Sequence, residues 1–172
     1  TRLAGSDGVV LDLGASTADF SAHIVDQYDL DCLAFEAHPG KLDRMAVHPR
    51  ISLYNRLVSG SADEQRSVAE QDNGFVWVSE LDAELGGETA RSVSVASINL
   101  AGILALAGGR PVALAKVDVE GSEFAFFEAA TDAEILRVEQ FTVEFHDFLD
   151  PALSPSVDSV RRRLEGLGYR WM

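Results

Sequence analysis

Four short stretches of the 172-residue chain carry residue types that can do chemistry. The first is Asp12-Leu13-Gly14-Ala15-Ser16-Thr17. Gly14 can turn sharply and let a ligand approach the backbone closely. A helix opening just beyond it offers unpaired N–H groups, which favour a carboxylate or phosphate. Asp12 adds a negative charge there, which repels a pyrophosphate and attracts an ammonium. A ligand bearing both an ammonium and a carboxylate fits that pair. The second is Glu36, 22 residues past Gly14. A carboxylate in this place accepts hydrogen bonds from two ribose hydroxyls. Ribose joined to an amino-acid tail describes S-adenosylmethionine rather than a plain nucleotide.

The third stretch is Lys116-Val117-Asp118-Val119-Glu120-Gly121. Strand alternation puts Lys116, Asp118 and Glu120 on one side and the two valines on the other. Three charges at the exit of a buried strand are costly unless used or paired. The fourth is Glu144-Phe145-His146-Asp147, where the same alternation puts Glu144 and His146 on one face. His146 is the general-base candidate, because an imidazole titrates near neutrality. Glu144 or Asp118 could orient it or take the proton instead. Each feature also has a purely structural reading. Gly14 can be an ordinary strand-to-helix turn, Lys116 and Glu120 an internal ion-pair network, and His146 a strand-end cap.

These residues need strands and helices to position them. Apolar runs bounded by turn residues predict a parallel sheet covered on both faces, with helices between the strands. Strands are expected at Gly8–Gly14, "DCLAFEA", "ISLYN", "SVSVAS", "PVALAKVDVEG" and "EQFTVEFHDF". "RLVSG" continues the third or starts a fourth. The first helix is expected from Thr17 to Tyr28, with Ser16 and Asp19 as a capping box. Pro39 suits the first turn of a short helix. Ser97 is expected to cap "INLAGILALA", which Gly108-Gly109 ends. Ser122–Ala130 and a segment from Ser154 read as helices. Between positions 61 and 97, "RSVAEQ" and "FVWVSE" flank Asn73-Gly74, a hairpin signal. The polar stretch "LDAELGGETA" follows, and acceptor specificity is expected to reside near Asp72–Gly87. "YRWM" reads as the start of a further strand.

Composition sets the outer bounds. The length suits one domain over residues 1–172, with 47% hydrophobic and 24% charged residues. No apolar run approaches the roughly 20 residues needed to span a bilayer, and "TRLAGSDG" lacks a signal-peptide layout. One cysteine, Cys32, cannot form an internal disulfide, and it reads as a core residue. Cytoplasm is the expected compartment. A net charge of −14 opposes a phosphate backbone, so no nucleic-acid partner is expected. No cysteine or histidine cluster suggests a structural zinc. The carboxylates alone do not support a divalent cation, so no metal is expected.

In these four stretches the chain resembles the FkbM-type methyltransferases, a branch of the class I S-adenosylmethionine-dependent enzymes. "VLDLGASTADFS" is similar to the family's Asp-x-Gly-Ala-Asn-x-Gly turn and "AFEAHP" to its Phe-Glu-Pro-x-Pro segment. "AKVDVEGSEFAFFEAA" resembles its Lys-x-Asp-x-Glu-Gly-x-Glu segment, and "FTVEFHDF" its Val-Glu-x-His strand. "VSVASINLAGIL" is similar to the segment before the central motif. The resemblance implies a Rossmann-like sheet with a reversed final strand and methyl transfer to a hydroxyl of a sugar, glycan or secondary metabolite. It places Asp12, Gly14, Ala15 and Ser16 at the methionine end of the cofactor. Glu36 would hold the ribose, and Ala37, His38 and Ser59 would flank the adenine. Asp118 would lie beside the cofactor amino group or the acceptor. The chain departs from the pattern at Ser16 (often Asn), Ala18 (often Gly), Ala37 (usually Pro) and Asn99 (tends to Asp). Two other readings stay open. One is a methyltransferase-like domain that binds without catalysing. The other is a nicotinamide-dependent oxidoreductase, against which stands the single glycine of the first turn.

Overall fold

The structure, a computed structural model, describes residues 3, 5–45, 48–70, 76–77, 91–148 and 151–172. The buried runs form five parallel strands: β1 (Val9–Leu13), β2 (Asp31–Glu36), β3 (Ile51–Asn55), β8 (Val112–Val117) and β9 (Phe141–Val143). Their order across the sheet is β3-β2-β1-β8-β9. The order reverses direction at β1, so a crevice opens between the C-terminal ends of β1 and its neighbours.

Alternation along β1 builds the core on both sides of the sheet. Val9, Leu11 and Leu13 pack in the main core with Leu33 and Phe35 of β2 and Val112, Ala115 and Val117 of β8. The same core takes Ile103 from α3 (Leu100–Leu106) and Phe126 and Phe127 from α4 (Glu123–Ala129). Leu164 of α5 (Ser154–Gly166) joins them. The even positions face the opposite side: Val10 packs with Cys32, Ala113 and with Ile24 and Val25 of α1 (Asp19–Tyr28). Cys32 is fully buried, and burial pushes its thiol up to about 12.

A second sheet lies beside the first. It has the order β4-β7-β5-β6, made of β4 (Leu57–Val58), β5 (Gln65–Glu70), β6 (Val76–Trp77) and β7 (Arg91–Ile98). β4 pairs parallel with β7, and β5 pairs antiparallel with both β7 and β6. The expected hairpin is therefore present as a β5–β6 pair with Ala69 opposite Trp77. Its Asn73-Gly74 turn, the polar stretch after it and most of Asp72–Gly87 fall outside the described residues.

Several local expectations are corrected. Helix α1 begins at Asp19 and is capped by Ala18, a left-handed residue (φ 62°) that makes no side-chain cap bond. Ser16 and Asp19 form no capping box, because the Ser16 N–H turns instead to Glu36. Asn99, not Ser97, caps α3, its side-chain oxygen accepting from Gly102 N at 3.1 Å. Ser97 is still in β7, fully buried, and its hydroxyl accepts from Glu64 N. The last strand stops at Val143, and His146–Phe148 is a 3₁₀ turn. Residues 169–172 form no strand. Their aromatic groups are held by other means: the Tyr169 hydroxyl reaches the carbonyls of Ile135 and Val138, and Trp171 stacks on Phe145.

Candidate functional site

The crevice is built from strand exits. At the end of β1, Gly14 N and Ala15 N both donate to Phe35 O, which folds the β1–α1 turn onto β2. Gly14 has φ +80°, and a Cβ at this position would stand 1.7 Å from Asp118 O. Only glycine lets β1 and the β8 exit close up here. Ser16 (φ 50°) and Ala18 (φ 62°) are also left-handed, a conformation that disfavours side chains other than Asn, Asp or Gly.

Glu36 is buried at the end of β2 and its two carboxylate oxygens are divided between two turns. Oε2 accepts from Ser16 N and Oε1 from His38 N, each at 2.8 Å. An ionised carboxylate has about four acceptor positions, so each oxygen keeps capacity for a ligand hydroxyl. Asn55 fixes the neighbouring exit by donating to the carbonyls of Glu36 and Ala37 at 2.9 Å. Helix α2 (Pro39–Leu42) starts here with Pro39 in its first turn.

These turns bound a small cleft that is open to solvent. Gly14, Ser16, Glu36 and Ala37 line one part of it, and Asp118, Val119 and Glu120 another. Phe35, Leu57 and Val58 supply an apolar wall, with Lys41 and Arg56 also at the lining. Ala15 and Ser59 are buried off the lining. Ser59 bonds to Ser61, and its neighbours Leu57 and Val58 face the cleft in its place. His38 contributes its N–H to Glu36 and does not line the cleft.

Asp12 sits under the cleft rather than in it. Position 12 is an even position of β1, so its side chain faces α1, where Oδ2 accepts from Ser21 Oγ at 2.6 Å. Register sets it opposite Lys116, whose ammonium is 3.5 Å from Asp12 Oδ1, 3.0 Å from Asp118 Oδ2 and 2.9 Å from Gly14 O. The ammonium expected from a ligand is thus supplied by the protein. Burial raises the Asp12 carboxyl above its ordinary value, with Lys116 opposing.

On the β8 side, Asp118, Glu120 and His146 converge, with one ligand-type atom from each inside 4.8 Å. His146 is buried, and its Nε2 lies 3.3 Å from Glu120 Oε2 and 3.8 Å from Asp118 Oδ1. Its Nδ1 is 2.9 Å from Oε1 of Glu123, which is itself fully buried. Glu123 also accepts from Val119 N and Gly121 N. An acceptor so engaged assigns the Nδ1 proton to the imidazole. Burial raises the Glu120 carboxyl; His146 opposes this, while Asp118 and Glu123 add to it. Glu144 is exposed, and neither the cleft lining nor this cluster includes it. Alternation cannot carry it to the His146 face, because the strand ends one residue before it.

Sequence reasoning missed Glu123, Lys41 and Arg56. Glu123 had a signal, as the final acid of the "KVDVEGSE" run. Arg56 follows the end of β3, where crevice residues are expected. Lys41 had none, since only the short turn of α2 brings it to the lining.

A family model described as the methyltransferase FkbM domain matches residues 12–171. The chain belongs to the FkbM methyltransferase family. A solved structure from Anabaena variabilis ATCC 29413, described provisionally as a methyltransferase from an antibiotic biosynthesis pathway, is similar over a short stretch. The identity there is 26%, the match covers 28% of this chain and 19% of that one, and the TM-score is 0.27. No curated protein matches the chain. In this FkbM domain the two left-handed residues of the first turn, Ser16 and Ala18, are the positions where the family pattern carries Asn and Gly. Among the described residues no helix is long and apolar enough to cross a membrane.

Proposed function

We propose that this FkbM domain binds S-adenosylmethionine in the cleft and transfers its methyl group to a hydroxyl of a small molecule or glycan. The observation that carries the reading is Glu36: buried, on the cleft wall, held by two N–H groups and still able to accept from a diol. The single glycine of the first turn supports a methyl donor over a dinucleotide, whose fingerprint has three. When bound, the cofactor supplies a sulfonium methyl, a ready electrophile.

The chain's own residues then have separate tasks. Gly14 and Ser16 give backbone contact at the amino-acid end, and Glu36 with Ala37 holds the ribose end. Lys116 offsets part of the charge of Asp12 and Asp118, so the cleft floor repels a carboxylate less. Asp118 stands at the far wall, with the buried His146 behind it, where an acceptor oxygen must be aligned and lose its proton.

Calorimetric titration with S-adenosylmethionine and with NAD tests the cofactor. Binding of the former with none of the latter is expected; the reverse would discard the reading. Methyl transfer to a panel of sugars and hydroxylated metabolites then tests catalysis. Cofactor binding without any turnover would favour a non-catalytic binding domain.

A further inference from the structure

Carboxylates crowd the His146 imidazole. Asp118, Glu120 and Glu123 bring three carboxylates to one imidazole. Lys116 faces Asp118 through the other oxygen, Oδ2, and shares its charge with Asp12. Lys41 acts on Glu120 from the cleft side. With Nδ1–H directed to Glu123, Nε2 points its remaining valence toward Glu120 Oε2 and Asp118 Oδ1. Either a proton on Nε2 or a bound cation satisfies the two carboxylate oxygens that face it.

We propose that Asp118 Oδ1, Glu120 Oε2 and His146 Nε2 bind a divalent first-row transition cation at the wall of the cleft. Three features fit that chemistry. Donors sharing an ion about 2.1 Å away stand roughly 3.0–3.4 Å apart. The Nε2–Oε2 separation of 3.3 Å already matches, Nε2 and Asp118 Oδ1 are 3.8 Å apart, and one ligand atom from each of the three residues lies within 4.8 Å of the others. Glu123 is the outer carboxylate that fixes the imidazole of a metal-binding histidine. Asp118 and Glu120 are only partly buried and line the open cleft, so coordination positions are left for water or substrate. Two oxygens and one imidazole nitrogen suit Mn²⁺ or Fe²⁺ better than Mg²⁺, which favours oxygen.

The existence of this site is independent of the reading of the cleft above, but its role rests on it. An acceptor hydroxyl coordinated to the cation becomes more acidic. Its O–H bond breaks, the proton leaves to water, and the electron pair stays on the metal-bound oxygen. His146 then acts as a ligand rather than as the base.

Mn²⁺ is the probe, followed by calorimetry and by quenching of the free-ion EPR signal in chelator-stripped protein. One Mn²⁺ per chain is expected. His146→Ala and Glu120→Gln should each weaken it by at least about 10-fold, the loss that even an outer partner of a ligand causes, with circular dichroism checking the fold. Glu120→Gln, at a part-exposed position, keeps the test valid if His146→Ala unfolds. Asp26→Asn, on the exposed face of α1, controls for loose binding to an acidic surface. Absence of stoichiometric Mn²⁺ binding overturns the proposal, as does binding equally strong in all three variants; either result assigns the cluster to a protonated imidazole. S-adenosylmethionine is titrated separately into the stripped protein. Its binding without Mn²⁺ binding sinks the metal site alone, and the converse sinks only the cofactor reading.

Discussion

Ser16 and Glu36 lie 20 residues apart in the chain, and the Ser16 N–H donates to Glu36 Oε2 at 2.8 Å. The other carboxylate oxygen takes His38 N at the same distance. One side chain therefore ties the β1–α1 turn to the β2–α2 turn, so the structural role of Glu36 is coupled to the cofactor-binding role proposed for it.

Glu36→Gln separates them in part. The amide can accept only through its oxygen, so one of the two N–H groups faces an NH₂ instead. A loss of about 1–3 kcal/mol in unfolding free energy is expected, read from urea denaturation. S-adenosylmethionine affinity should fall at least tenfold in calorimetry under conditions where the variant is fully folded. Unchanged affinity would remove Glu36 from the ribose site.

Gly14→Ala should be severe. The added Cβ would collide with Asp118 O, and the φ of +80° is strained for alanine. A cost of about 3 kcal/mol or more is expected from strain and overpacking together. A urea midpoint within error of the parent would show that β1 and the β8 exit can separate freely.

The neighbouring turn residues predict the opposite sign. Ala18→Gly and Ser16→Asn put residues tolerant of left-handed backbone where φ is 62° and 50°. Ala18→Gly relieves about 1–2 kcal/mol of strain but adds chain entropy of about 0.4–1 kcal/mol to the unfolded state. A net gain of roughly 0.5–1 kcal/mol is expected, with a smaller gain for Ser16→Asn. Thermal melts of the two single variants check this, and a lowered Tm in both refutes it.

Asp12 predicts a pH dependence. Its carboxyl is raised above the ordinary 3.8 in the folded protein, chiefly by burial. Its contribution to stability is therefore fully present below pH 3.8 and is lost as pH rises through the folded pKa. Asp12→Asn removes that titration. The stability of the parent minus that of the variant should fall as pH increases above 3.8. Urea unfolding of both proteins across pH 4–8 measures it, and a difference that grows with pH contradicts the assignment.

Much of this molecule is legible in its sequence because the signals are local. The runs of Val9–Leu13, Asp31–Glu36 and Val112–Val117 are strands because buried parallel strands are continuously apolar. Gly14 is recognisable because the following segment must turn at once into α1. Glu36 is found by counting from it. The charged triplet after Lys116 marks a strand exit that has to be satisfied. What the tertiary structure alone decided is where side chains point and who meets them. Asp12 faces α1 and Lys116 because β1 and β8 are in that register, which no local pattern encodes. Glu144 parts from His146 because β9 stops after Val143. Glu123 reaches His146 across 23 residues of chain. Local propensity sets the periodicity of each element, whereas register, strand length and long-range pairing are fixed only when the elements pack.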